Sequence, residues 1–399
     1  MARSRIAAPP DDYLYRQRLT YRQNRHELHF DIAEGLFSAA TIDEGTRYLL
    51  RWLGGPATHP VRSVLDLGCG YGPIGITLAA FNADRSVLCT DRDALAVEYS
   101  AWNAKLNGLD DRVQAMASVG LDDVPVGRQF DLVVSNIPAK VGPSALAEFL
   151  FGGVPWLSDG GRIAVVVIDR IRPMVDEYLE SASCEVLDRH DNRRYGVRVF
   201  RPTGMVIAPK DDPYDRGPAR RFEFEGTSWT VVPTFTLPEF DTLSYSTQLA
   251  LSLLPNGSTR YVVAGVGHGH IPTFLSVRAP LVPLCMVDRD LLALRVAQDT
   301  LTRLDREVSV EVRHASRPSD VERTGEDCVV VRLDKREPVA VTAETVRRLA
   351  ASAKGRGTTI IHGRTADVVR VLNVVRISAK LEVSKEVRNR GHAAAQLSA

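Results

Sequence analysis

Short cysteine motifs are missing from this 399-residue chain. Its five cysteines, Cys69, Cys89, Cys184, Cys285 and Cys328, are scattered and form no CxxC pair. That spacing argues against a disulfide frame and a zinc site, and for a reducing, cytoplasmic setting. No run of about 18 apolar residues occurs, so no membrane-spanning helix is expected. The N-terminal stretch MARSRIAAPPDDYLYRQR has no apolar core followed by a cleavage site, so no secretory signal is expected either. Net charge is also scarce: 50 Lys and Arg against 49 Asp and Glu leave +1. A nucleic-acid partner would therefore need a local basic surface. What is present is 44% hydrophobic and 25% charged residues, the composition of a globular protein, with length enough for two domains.

Residues 11–30, DDYLYRQRLTYRQNRHELHF, interleave arginine with tyrosine. Arg16, Arg18, Arg22 and Arg25 suit contact with phosphates and bases, or the solvated face of a helix. From residue 61 strands alternate with helices. SVLDL, SVLCT, DLVVS and RIAVVVI read as strands, GITLAAF and ALAVEYSAWNAKLNG as helices. Continuous apolar strands between helices predict a parallel sheet covered on both faces, hence a doubly wound α/β domain. Residues 188–202, DRHDNRRYGVRVFRP, read as a late hairpin. Its Arg193, Arg194 and Arg198 form either a basic rim beside a site or an ordinary charged surface. Residues 201–221 carry Pro202, Pro209, Pro213 and Pro218 among charges, a linker composition.

The second half repeats the first. GCGYG at 68–72 aligns with GVGHG at 265–269, and CTDRDALA at 89–96 with MVDRDLLA at 286–293. From Gly68 to Asp91, and from Gly265 to Asp288, the separation is the same. FDLVVSN at 130–136 matches EDCVVVR at 326–332. IDEGTRYLLRWL at 42–53 and DTLSYSTQLALSLL at 241–254 precede their glycine loops alike. The expected organisation is a basic, aromatic segment at 1–29, a catalytic domain at 30–202, a linker at 203–221 and a second copy of the fold at 222–399.

VLDLGCGYGPIG is an apolar strand, an acid, then Gly68, Gly70 and Gly72, then a helix. Glycines let a ligand lie against bare backbone. A dinucleotide fingerprint would read GxGxxG; here the spacing is GxGxG, and Asp66 stands two residues before the first glycine. A carboxylate there repels pyrophosphate and suits a ligand with an ammonium and a sulfonium group, as S-adenosylmethionine has. Asp91 closes the next strand, where an acid can accept hydrogen bonds from both ribose hydroxyls. Asp93 fits the N-cap of the following helix at least as well as Asp91, which leaves Asp91 for the ligand.

VLDLGCGYGPIGITLA, TDRDALAVEYSAWNAKLNG and FDLVVSNIPA resemble the class I S-adenosylmethionine-dependent methyltransferases. More narrowly, FDIAEGLFSAATIDEGTRYLL before LDLGCGYGPIG resembles the tandem-domain ribosomal RNA guanine-N2 methyltransferases of the small and large subunit. Gly35, Phe37, Ser38, Asp43, Gly45 and Thr46 carry that narrower likeness. The resemblance implies two tandem Rossmann-like domains in the α/β class, the second degenerate. It implies S-adenosylmethionine as cofactor, with Asp66, Gly68, Gly70 and Gly72 bordering the methionine moiety and Asp91 holding the ribose. By the same resemblance Arg92 and Ser118 would lie beside the adenine, where Val119 replaces a common polar contact, and Phe37 would help to close the site. The resemblance also implies that Asn136 and the Ile137–Pro138 backbone would face the methyl-accepting nitrogen.

An exocyclic amine is a poor nucleophile because its lone pair is delocalised into the ring. The Asn136 side-chain oxygen and a nearby backbone carbonyl can accept both of its N–H hydrogens and localise the pair. In-line placement supplies much of the remaining rate. Pro138 stiffens the loop. Ala139 stands where such loops carry a stacking aromatic, so Phe149, Phe151, Trp156 or Tyr195 takes that part, or the acceptor is not a flat base. Lys140, Arg193 and Arg194 are candidates for substrate phosphate. A turn with Asn in it is the plain structural alternative.

In the second copy Val263 replaces Asp66 and Arg332 replaces Asn136, while Asp288 persists. That copy is expected to fold without catalysing, and to hold a large substrate or brace the first domain. His268 and His270, without carboxylate or cysteine neighbours in sequence, are weak metal ligands, and no metal is expected. In the family it resembles the degenerate copy is usually the N-terminal one; here it is the C-terminal one. The expected function is methyl transfer to an exocyclic amino nitrogen, guanine N2 of ribosomal RNA, with ribosomal RNA or a ribosomal subunit as partner and no membrane. Alternatives are a small-molecule methyltransferase of a natural-product pathway, a glutamine-methylating enzyme, and a non-catalytic S-adenosylmethionine- or RNA-binding module.

Overall fold

The computed structural model describes residues 12–54, 61–140, 142–204, 214, 217–234, 236–239, 241–304, 308–321, 327–333, 337–351, 357–379 and 381–398. Residues 1–11 of the expected basic segment, most of the expected linker, and 334–336 of the second copy's loop lie outside them. The chain divides into two compact units, Met1–Tyr214 and Asp215–Ala399.

The first unit opens with an antiparallel pair, β1 (Tyr15–Gln23) and β2 (His26–Ala33). The rest runs α1 (Glu44–Leu53), β3 (Ser63–Leu67), α2 (Pro73–Phe81), β4 (Ser86–Asp91), α3 (Ala94–Leu106), β5 (Val113–Ala117), β6 (Phe130–Asn136), α4 (Pro143–Phe151), β7 (Leu157–Ile168), α5 (Arg172–Ser181), β8 (Cys184–Asp191) and β9 (Tyr195–Pro202). The seven-stranded sheet has the order β5-β4-β3-β6-β7-β9-β8. β3 to β7 pair in parallel, and β9 lies antiparallel between β7 and β8. The order reverses beside β3, where the chain passes from β5 on one side to β6 on the other. In open α/β sheets ligands bind at the C-terminal ends of strands flanking such a switch. Asp66, the glycine loop, Asp91 and Asn136 all lie at those ends.

The stretch 15–33 is a hairpin, not the helix face considered from sequence. Asn24, with φ 52°, makes a two-residue turn that an asparagine tolerates. Tertiary bonds fix the hairpin to α3: Asn103 Nδ2 donates to the Asp31 carbonyl and its Oδ1 accepts from the Asp31 N–H, and Asn107 does the same for His29. The arginines are largely engaged. Arg18 makes a two-pronged pair with buried Asp31 at 2.7 Å, Arg16 bonds Glu34, and Arg22 bonds Glu27.

The second unit runs β10 (Arg220–Phe224), β11 (Thr227–Val231), α6 (Tyr245–Ser252), β12 (Tyr261–Ala264), α7 (His270–Arg278), β13 (Leu284–Asp288), α8 (Leu291–Thr302), β14 (Val310–His314), β15 (Cys328–Arg332), α9 (Val339–Ala351), β16 (Thr358–Arg364), α10 (Thr365–Ala379), β17 (Glu382–Asn389) and β18 (His392–Ser398). Its sheet, β14-β13-β12-β15-β16-β18-β17, repeats the first strand for strand. The two units are tandem Rossmann-like domains. Their cores form for the reason the sequence suggests: β3, β4, β12 and β13 are apolar runs buried on both faces.

Candidate active site

Asp66, next to last in β3, is 0% exposed. Its Oδ2 accepts from the Gly75 N–H of α2 at 2.8 Å, and its Oδ1 has no partner. Burial pushes its carboxyl up to about 7, with the neighbouring Asp91 adding to the shift. α2 comes this close because residue 75 is glycine: a Cβ there would stand 2.6 Å from Cys89 Sγ.

The loop between β3 and α2 turns through Gly68, Gly70 and Gly72, all at positive φ. They do different work. A Cβ on Gly70 would meet nothing within 4 Å, and one on Gly68 would meet only the Phe149 ring, at 3.9 Å. A Cβ on Gly72 would collide with Ile76 and with Ser100 Oγ, each at 2.7 Å. Gly68 and Gly70 thus line an open cradle, while Gly72 seats α2. An unpartnered carboxylate oxygen beside bare backbone fits a cationic ligand such as the amino-acid end of S-adenosylmethionine.

Asp93 caps α3 by accepting from the Leu95 N–H, as expected. Asp91 is nevertheless not idle. Its Oδ2 accepts from the Gly70 N–H and its Oδ1 from the Asp93 N–H, both at 3.0 Å. It ties the glycine loop to β4 and retains one further lone pair per oxygen for ribose hydroxyls. Burial, with Asp93 next, pushes its carboxyl up to about 6. Arg92 is half-buried beside it. Ser118, buried, donates its N–H to the Asp91 carbonyl, and its Oγ accepts from Asp123. The Val119 N–H donates to Asp123 Oδ2 at 3.3 Å, which brings a carboxylate to this corner that sequence reasoning missed.

Asn136 closes β6. Its Nδ2 donates to Asp43 Oδ2 at 2.9 Å and to Thr46 Oγ1 at 3.0 Å. A carboxylate can only accept, so the amide nitrogen must face it and the orientation is settled. With both amide hydrogens engaged, the group left to a substrate is Oδ1, an acceptor. Asp43 also caps α1 by accepting from the Thr46 N–H, so the cap of one helix holds the amide of a distant strand. Asp43 and Thr46 carried the family likeness in the sequence; their bond to Asn136 did not show there.

The remaining loop residues divide. Ile137 is 2% exposed, and its N–H donates to the Val166 carbonyl of β7. Pro138, Ala139 and Lys140 are exposed. Of the rings considered in place of an aromatic at 139, Phe151 packs into the core against Phe200 and is not at the site. Phe149 borders the Gly68 cradle, and Tyr195 lies on Gly45, where a Cβ would stand 3.0 Å from its ring. Trp156 is half-buried at the start of β7. Phe37 is 71% exposed in the turn before α1. Arg193 and Arg194 are exposed, and Arg194 pairs with Glu44 at 2.6 Å. Arg198 is not part of any rim: it is 1% exposed and forked onto Asp176 and Asp191, since its strand position faces inward. Tyr71, missed from sequence, is buried beside the loop with its hydroxyl unpartnered.

The second unit closes the same cradle from within. A Cβ on Gly265 would stand 3.1 Å from Arg332 Cβ, and one on Gly267 3.0 Å from Arg332 Nη1 and 3.5 Å from Pro238. Arg332, at the position of Asn136, lies across the glycines. Asp288 still accepts from backbone N–H groups, of Val266 and Asp290. His268 and His270 serve the fold: His268 joins Thr234 to Pro238, and His270 joins Trp229 Nε1 to the Glu239 carbonyl.

The reversing parallel sheet, the open cradle beside Asp66 and the asparagine at the end of β6 resemble the arrangement of class I S-adenosylmethionine-dependent methyltransferases. Residues 27–195 match the family described as Methyltransferase small domain. The chain resembles ribosomal RNA methyltransferases within that class. It is 35% identical over 167 residues to the ribosomal RNA small subunit methyltransferase C of Hahella chejuensis, covering 41% of this chain and 46% of that one. It is 28% identical over 171 residues to the uncharacterized protein YbxB of Bacillus subtilis, covering 41% and 84%. The chain thus spans about half the length of the Hahella relative. In fold it is similar to the T. thermophilus 16S rRNA N2 methyltransferase RsmC, solved with AdoMet and guanosine, at a TM-score of 0.69. That likeness covers 96% of this chain and 98% of the other at 14% identity.

Proposed function

We propose that the chain transfers a methyl group from S-adenosylmethionine to an exocyclic amino nitrogen of ribosomal RNA, guanine N2. The observation that carries this reading is the Asn136 amide, whose N–H groups are spent on Asp43 and Thr46 so that its oxygen is presented as an acceptor. An acceptor suits an amine, which has two N–H hydrogens to donate in hydrogen bonds and loses one as a proton on methylation, better than a hydroxyl or carbon nucleophile. Support for RNA over other amines comes from the ribosomal RNA methyltransferases among its relatives.

In this reading Asp66 would hold the cofactor's ammonium, Asp91 the ribose, and Gly68 and Gly70 would leave room for it, with Arg92 and Ser118 beside the adenine and Phe37 helping to close the site. When bound, S-adenosylmethionine supplies an electrophilic methyl group. Asn136 Oδ1 and a carbonyl of the Ile137–Pro138 segment accept the amine hydrogens and turn its lone pair out of the ring. Asp43 and Thr46 are positioning residues: they keep the amide from rotating, which preorganises the acceptor. Lys140, Arg193 and Arg194 would meet phosphate, with Ala139 against the base. The catalytic domain would span 30–202 behind the segment 1–29, with a linker at 203–221 and a non-catalysing domain at 222–399.

The test is transfer of labelled methyl groups to ribosomal subunits from cells lacking the gene. Asn136→Ala should lower kcat about 100-fold or more while leaving cofactor affinity within a few-fold. Thr46→Val, which keeps shape and loses one acceptor, should lower kcat several-fold without changing the melting temperature. Measurable cofactor binding with no label in any RNA would overturn the RNA acceptor.

A further inference from the structure

α1 starts at the active site and points away from it. Its cap, Asp43, holds Asn136, and its buried stripe is Gly45, Thr46, Leu49, Leu50 and Leu53. The opposite stripe carries Arg47, Tyr48, Arg51 and Trp52 at helical spacing. Asp43 and Arg51 are eight residues apart, roughly 12 Å along the axis at about 1.5 Å per residue.

Two grooves flank this stripe. The first, of about 590 Å³, lies between α1 and the β8–β9 turn, and Arg47, Tyr48, Arg51, Arg193, Arg194 and Tyr195 line it. The second, of about 550 Å³, lies between α1 and the tip of the β1–β2 hairpin, bounded by Tyr21, Arg22 and Asn24. Arg47 and Arg51 line both, so the two grooves adjoin at these side chains. The inner end of the first is Tyr195, whose ring lies on Gly45 two residues from Asp43. Arg194 and Arg22 already have carboxylate partners, Glu44 and Glu27. Arg47, Arg51 and Arg193 have none among the described residues and are exposed. On a chain of net charge +1 this is a strong local excess.

Unpaired arginines interleaved with tyrosines in a groove suit a single-stranded nucleic acid, whose phosphates take the guanidinium groups and whose bases stack on the rings. We infer that α1 is a runway for the single-stranded RNA flanking the acceptor nucleotide. The strand leaves the Asn136 loop past Tyr195, follows Arg47 and Arg51, and reaches the hairpin tip. This rests on the RNA reading above and adds the path and the residues that hold it. It also explains how a nearly neutral protein could grip a polyanion.

The experiment compares wild type with Arg47→Gln/Arg51→Gln and with Tyr48→Ala. Binding of a labelled single-stranded oligoribonucleotide is followed by anisotropy over a range of salt, together with steady-state methylation of ribosomal subunits. Two lost phosphate contacts should reduce the slope of log affinity against log salt by about 1.4, at about 0.7 per contact for single strands. KM for the subunit should rise about tenfold with kcat and cofactor affinity unchanged, the reverse of the Asn136→Ala pattern. Tyr48→Ala should weaken the oligonucleotide without altering the salt slope. Methylation that persists with wild-type KM and salt slope in the double variant overturns the runway and leaves the RNA reading standing. Equal loss of duplex and single-strand binding overturns the single-strand assignment. No label in RNA, with oligonucleotide binding still lost in the double variant, defeats the acceptor assignment but supports the runway.

Discussion

Asp66 is fully buried, with one carboxylate oxygen on the Gly75 N–H and the other without a partner. Its carboxyl is raised from 3.8 to about 7 by that burial. Between about pH 4 and pH 7 the folded protein therefore holds a proton that the unfolded chain has released. The stabilising contribution is full below about pH 4 and is lost as the pH rises through about 7. Asp66→Asn, neutral throughout, should raise the melting temperature of the cofactor-free protein by several degrees at pH 8 and by less at pH 5. If Asp66 is the counterion proposed for the ammonium, isothermal titration should show that the same variant no longer binds S-adenosylmethionine. In wild type, affinity should fall about tenfold per pH unit below pH 7, since a protonated carboxyl cannot make that pair. A flat affinity profile between pH 5.5 and pH 8 would assign the ammonium to another group.

At the scale of elements, α2 and α1 each join folding to the site, by different residues. α2 needs Gly72 at φ 88° with Ile76 and Ser100 pressed against it, and needs Gly75 against Cys89. Gly72→Ala should cost several kcal/mol, from a strained left-handed backbone and an overpacked contact. Gly70→Ala, at φ 57° in open space, should cost only about 1–2 kcal/mol of stability. Its methyl would instead stand in the cradle, so cofactor affinity should fall far more than the melting temperature. Denaturation and titration on the two variants separate these effects. α1 depends on Asp43 both for its first turn and for Asn136. The residues that carry the family likeness and the basic outer stripe thus belong to one element, which runs from Asn136 to the surface.

At the scale of the whole molecule, one fold is present twice with opposite fates. The first unit leaves the cradle under its glycines open, and the second lays Arg332 and Pro238 across it. Calorimetry should therefore give one S-adenosylmethionine per chain. Asp288→Ala should leave both that stoichiometry and turnover unchanged. Arg332→Ala would clear space without restoring a site, because Val263 offers no carboxylate to the ammonium. A second equivalent of cofactor in wild type would refute the blockage. The second domain folds because its apolar strands pack into a core, which does not require a functional loop.

The sequence by itself determined both sheets, their duplication and the place of the glycine loops, because those depend on local apolar runs, turn glycines and repeat spacing. It also singled out Asp66, Asp91 and Asn136, which the fold brings to the C-terminal ends of adjacent strands, and the replacements Val263 and Arg332 at the aligned positions of the second copy. It did not show that residues 15–33 form a hairpin, since that choice is made by Asn103 and Asn107 bonding β2 from another element. Nor did it show Arg198 buried between two carboxylates, or Phe151 in the core, because which face of a strand or helix points inward is settled by its neighbours. The Asp43–Asn136 bond joins residues 93 apart, and Arg332 fills a cradle 65 residues upstream of it. Contacts over such separations exist only once the sheet has brought the strand ends together, so tertiary structure alone decided which way the asparagine points and which of two cradles is open.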